Sequence, residues 1–174
     1  MTDTSGDDRR LPPALAELAR TIDYADGEGI DFEPYDAFDS AEATTEWLRQ
    51  WTGNSELDGD AFRVFGQDGT GGLAALWRVR TGRPLTEQPV VFLSSEGERG
   101  VVAGSLSDFL WVLAEGIGPL ESVLYDDHSP RPDGALPALA ARHATTPRRP
   151  ARTIISEARA EFPAFDEHID ALCR

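Results

Sequence analysis

The order of patterns along this chain predicts an α+β fold. Helix-period segments stand at both ends, and short strand-like runs occupy the middle, from Ala61 to Ser105. The connections inside that middle run are short, which favours an antiparallel meander. A chain of 174 residues suits one domain with one core. It is read as a single domain over 11–174, behind a flexible leader at 1–10 and with a helical extension at 130–174.

The elements follow in order. Pro12 and Pro13 open a short helix with Leu15 and Leu18 on one face. The stretch DYADGEGIDFEPYDAFDS, residues 23–40, is acidic and carries Tyr24, Phe32, Tyr35 and Phe38, an extended loop pinned by its aromatics. Asp39 is the expected N-cap of the next helix, with Glu42 three residues on. In that helix Trp47 and Trp51 stand at i, i+4, a spacing that reads first as core packing, and Gly53 ends it. AFRVFG and LAALWRV flank a glycine loop, and VVFLSS and VVAGS flank EGERG, so each set reads as a β-hairpin. RTGRPLTEQP is the polar connection between them. SLSDFLWVLAEGIG reads as a helix capped by Ser105 or Ser107, with Phe109, Leu110 and Leu113 as its stripe and Gly116 as its stop. SPRPDG is a turn, ALPALAARHA a short helix, TTPRRP a break, and the tail is helical except near Pro163.

Sixteen basic and 31 acidic residues give a net charge of −15. Such a surface repels phosphate, which argues against nucleic acid and against an acidic membrane as partners. It attracts a basic protein, although acidity also serves plain solubility. The acids concentrate from Asp23 through Asp68, where the only bases are Arg49 and Arg63. Arg131, Arg142, Arg148, Arg149, Arg152 and Arg159 form a later basic stretch against Asp133 and Glu157. Every base is arginine, so lysine chemistry, including a Schiff base or a P-loop lysine, is excluded. The sole cysteine, Cys173, permits no intrachain disulfide. MTDTSGDDRR is no signal peptide, and no apolar stretch approaches the roughly 20 residues of a membrane span. A cytoplasmic location is expected.

The glycine loop FGQDGTGGLAALW fails as a phosphate cradle. Gly66 and Gly71 have P-loop spacing, but Gly72 and Leu73 stand where Lys and Ser/Thr belong. No register of the Asp23–Tyr35 stretch satisfies an EF-hand, which leaves only a looser divalent set of Asp23, Asp26, Glu28 and Asp31. His128, His143 and His168 are scattered, and no G-x-S-x-G elbow is present. None of these tests assigns a catalytic residue, a cofactor or a metal. The loop instead reads as the turn of a hairpin over Asp68–Gly72, with at least one glycine at positive φ. Phe62 and Val64 then lie on one face, Phe65 on the other, and Trp77 is buried.

FGQDGTGGLAALW followed by EQPVVFLSSEGERGVVAGSLSDFLWVLAEG resembles the SUKH superfamily, the Smi/Knr-like proteins. The glycine turn between strands, the second hairpin and the helix start at Ser105, Asp108, Phe109 and Leu110 carry the resemblance, over residues 40–120. The family's N-terminal pattern is not clean: Pro12 and Pro13 lie far upstream of WLRQWTGN, and only Trp51 to Asn54 stand where Asn-Gly-Gly belongs. The resemblance implies a curved, antiparallel-rich sheet of about four to six strands packed against N- and C-terminal helices. It also implies a non-enzymatic protein-binding module, an immunity protein (antitoxin) that neutralises a cognate toxin. A toxin acting on nucleic acid has a basic surface that a −15 protein attracts. The expected contacts are Asp31, Glu33, Asp36 and Asp39 with Tyr35 as aromatic anchor, and more weakly Asp68 and Glu96 on the two hairpin turns. The alternative is a regulatory interaction domain responding to a small molecule or to a divalent metal held between Asp23 and Asp31.

Overall fold

The computed structural model of the chain describes residues 9–27, 29–124, 130–131 and 133–174. Most of the expected leader and part of the SPRPDG turn lie outside the described residues. The elements are α1 (Pro13–Thr21), β1 (Glu33–Pro34), α2 (Ala41–Thr52), β2 (Phe62–Gln67), β3 (Leu73–Trp77), β4 (Val90–Leu93), β5 (Arg99–Ala103), α3 (Leu106–Ala114), α4 (Pro119–Leu124), α5 (Ala135–His143), α6 (Ala151–Glu161) and α7 (Phe165–Leu172). The fold is α+β. The strands form one open, curved, five-stranded sheet in the order β1-β2-β3-β4-β5, with every pair antiparallel.

Continuous apolar strands such as VVFL bury both faces of the sheet. On one face Phe65, Leu76, Val90 and Phe92 pack with Leu15 and Leu18 of α1, Phe109 and Leu113 of α3 and Leu139 of α5. On the other, Val64, Leu73, Trp77, Val91 and Leu93 pack with Leu48 of α2 and Phe165 and Ile169 of α7. Helix α6 runs beside β5 and reaches both faces, through Ile154 and Ile155 on the first and Ala158 on the second. Strand alternation puts Val64 and Phe65 on opposite faces, as expected, and the bulge between Val64 and Gly66 then leaves Phe65 and Gly66 on the same face, toward Phe32. Trp77 is 6% exposed and lies edge-on to Phe162 and Phe165 at 5.5 and 5.1 Å.

Several elements differ from the sequence reading. Ser40, not Asp39, caps α2: its Oγ accepts from the Ala43 amide at 3.0 Å. The acidic loop contains the edge strand β1, which two residues and a proline leave without periodicity. Helix α4 arises from PLESVL, too short to show an apolar stripe. Gly53 ends α2 at φ 70°, Ser105 caps α3, and the break at 144–150 separates α5 from α6, all as expected.

The core also holds the acidic loop. Phe32 is fully buried, and its ring meets Phe65 at 6.0 Å and Phe109 at 6.1 Å, both edge-to-face. Burying one such ring contributes about 1.5–3 kcal/mol. Gly66 makes this possible: a Cβ there would stand 2.5 Å from the Phe32 ring.

Candidate functional site

The loop between α1 and α2 is fastened to the sheet by its backbone and by its acids. The amides of Tyr35 and Asp39 donate to the carbonyls of Phe65 at 2.8 Å and Val64 at 3.0 Å. Asp31 Oδ1 accepts from the Gly69 amide at 2.9 Å and from the Tyr24 hydroxyl at 3.2 Å. Glu33 stands opposite Gln67 in the ladder. There the Tyr35 hydroxyl donates to Gln67 Oε1 at 3.0 Å, and Gln67 Nε2 donates to Glu33 Oε2 at 2.8 Å. Gln67 therefore links the aromatic to the carboxylate and holds both in place.

Glu33, Tyr35, Asp36 and Asp39 line one shallow depression of about 550 Å³, with Phe38 as part of its apolar floor. Asp36 is exposed, and the others are half-buried. Burial raises the Asp39 carboxyl above its ordinary pKa. Burial, then the charges of Asp39 and Glu33, push the Tyr35 hydroxyl up to about 12. Burial thus penalises the Asp39 charge, and an incoming cation relieves that penalty.

The structure thus brings four of the expected contacts together. Asp31 lies beside them but spends one oxygen on the Gly69 clasp. Glu96 is exposed on the β4–β5 turn, which touches the β2–β3 turn through Ser95 Oγ and Thr70 Oγ1 at 3.1 Å. Asp68 does not belong to the exposed set. It is 2% exposed, and its Oδ1 accepts from the Thr70 amide at 3.0 Å, the Thr70 hydroxyl at 2.8 Å and the Gly72 amide at 2.8 Å. The expectation of a surface acid gives way to an internal brace, because an Asp at the start of a tight turn bonds the amides that follow it. With Gly71 at φ 88°, these bonds answer what the glycine loop does: it turns the chain.

Two further aromatic residues, which the acidic pattern did not indicate, pack against the same cluster as Tyr35. Trp47 and Trp51 of α2 are half-buried and stacked, with ring centroids 5.8 Å apart and planes 15° apart. Trp51 Nε1 donates to the Ser94 carbonyl at 2.7 Å. Their i, i+4 spacing was the available signal; core packing describes only their inner sides.

Of the looser divalent set, Asp23 accepts from the Ala25 amide and Asp31 is engaged as above, while Glu28 and the side chain of Asp26 lie outside the described residues. Among the described residues, no group of three His, Cys, Asp or Glu side chains is placed to hold a metal ion. No helix among them is long and apolar enough to cross a membrane. His143 pairs with Glu17, His168 lies against Trp77, and His128 is outside the described residues. No family model, curated protein or solved structure matches the chain.

Proposed function

We propose that this chain is a non-enzymatic protein-binding module of SUKH type, acting in the cytoplasm as an immunity protein that captures a basic toxin domain. The observation that carries the reading is the depression where Glu33, Asp36 and Asp39 surround Tyr35. Glu33 is positioned by the ladder and Asp39 by its backbone bond to Val64, so little ordering of these two is lost on binding. The net charge of −15 speeds encounter with a basic partner and opposes nucleic acid. Strand addition does not suit the adjacent edge, because β1 is two residues long and carries Pro34.

Affinity capture from the native host at low salt tests this. Wild-type protein is expected to recover a basic protein that elutes with salt. The Asp36→Lys variant, altered at an exposed position and with an unchanged Tm, is expected to recover markedly less of it. Recovery of no basic protein, or equal recovery by the variant, overturns the reading.

A further inference from the structure

We propose that the stacked Trp47–Trp51 pair and Tyr35 form one aromatic ledge that docks arginine side chains of the basic partner. This rests on the acidic depression being a partner-binding face. The contiguity follows from the sheet register. Gln67, Leu73 and Leu93 stand side by side across β2, β3 and β4. Tyr35 bonds Gln67 at one end of that row, and Trp51 bonds Ser94, the residue after Leu93, at the other. Tyr35, Trp47 and Trp51 all pack against the cluster that contains Leu73 and Leu93. Neighbouring strands lie about 4.8 Å apart, so the two ends of the row are about 10 Å from each other.

Acids rim the ledge. Glu33 shares its row, Glu46 precedes Trp47 in α2 and is exposed, and Glu96 and Glu98 are exposed on the turn that Trp51 bonds. Flat indole faces beside carboxylates suit a guanidinium, which stacks as a plane and forks to an acid, better than an ammonium. The chain makes the same contact internally: Arg148 stands over Trp111 at 5.9 Å and Arg80 over Phe162 at 5.4 Å. Among the described residues no arginine stands over Trp47 or Trp51. Charge complementarity selects a basic partner, and the ledge selects arginine within it.

Nona-arginine and nona-lysine peptides carry equal charge and separate the ledge from bulk acidity. Fluorescence anisotropy of labelled peptides at fixed salt is expected to show tighter binding of nona-arginine, by about five- to tenfold. Trp47→Ala is expected to remove that preference and leave nona-lysine binding unchanged. Should this variant not fold, the indole emission of the wild type decides: nona-arginine is expected to shift it, and nona-lysine is not. Equal affinities, or equal weakening of both peptides, overturn the ledge while leaving a salt-sensitive acidic surface intact. Binding of neither peptide at low salt overturns the ledge and the acidic reading together.

Discussion

The carboxylate of Asp31 accepts a hydrogen bond from the amide of Gly69, 38 residues away in sequence, at 2.9 Å. This bond ties the acidic loop to the glycine turn, and the Tyr24 hydroxyl reinforces it from the loop side. The turn is thus a fixed support for the surface rather than its contact residue. Asp31→Ala removes both bonds. At about 1 kcal/mol of net contribution for exposed bonds, Tm is expected to fall by about 2–4 °C. Hydrogen exchange locates the effect: the Gly69 amide is expected to exchange faster, with the β3 and β4 amides unchanged. Unaltered exchange at Gly69 refutes the clasp.

The β2–β3 turn depends on a brace and on a backbone conformation, which separate variants resolve. Asp68→Ala leaves the buried Gly72 amide without its side-chain acceptor and is expected to cost about 1–3 kcal/mol in urea denaturation. Gly71 has φ 88° and open space where a Cβ would go, so Gly71→Val costs only left-handed strain, about 1–2 kcal/mol. At Gly72 the obstacle is packing, since a Cβ would meet the Phe92 ring at 2.6 Å and the Ser94 backbone at 3.0 Å. Gly72→Val is therefore expected to be the more damaging of the two glycine variants. Equal losses at both positions contradict this division.

The hairpins were legible because their signals are local: apolar runs, a glycine turn and short connections dictate the meander and the burial of Trp77. Phe65 could be placed because alternation runs unbroken from Phe62 to Phe65, before the bulge interrupts it. The missing pieces depend on contacts distant in sequence. Glu33 and Pro34 become a strand only because Gln67 and Gly66 offer a ladder. Asp68 looks like a surface acid until the Thr70 and Gly72 amides turn toward it. Ser40 and Asp39 are both good caps, and the bond from the Asp39 amide to Val64 leaves Ser40 at the helix start. The Tyr35–Trp51 ledge was hidden because its parts are joined through strand register, which spacing within α2 does not report.

Glu17 docks α1 onto α5 by accepting from His143 Nε2 and from Arg142. The His143 bond, then the Arg142 bond, holds its carboxyl below the ordinary 4.5. A lowered carboxylate stabilises the fold above its unfolded pKa, and that contribution fades as pH falls through the lower folded value. Glu17→Gln is accordingly expected to have a lower Tm than wild type at pH 7. The difference is expected to close progressively as pH falls below the ordinary 4.5. A gap independent of pH assigns the loss to packing instead.

Glu121 is expected to behave with the opposite sign. Its Oε2 is buried without a hydrogen-bond partner, beside Gly118 and Ile30. Burial is the main cause that raises its carboxyl above the ordinary 4.5; the charges of Asp31 and Asp68 add to it, while its own backbone bond and Arg131 oppose it. A carboxyl raised in the folded state costs stability when ionised, and the penalty disappears once pH falls below the unfolded value. Glu121→Gln keeps the shape that Gly118 accommodates and removes the charge. The variant lacks this ionisation penalty, so its Tm at pH 7 is expected to lie above that of wild type. Acidification toward about pH 4 is expected to erase the advantage, because the wild-type carboxyl then takes up its proton. Thermal melts of both proteins from pH 7 to pH 4 measure this directly. A variant less stable than wild type at pH 7 means that the ionised oxygen has a favourable partner, and the assignment of Glu121 as a destabilising buried acid then fails.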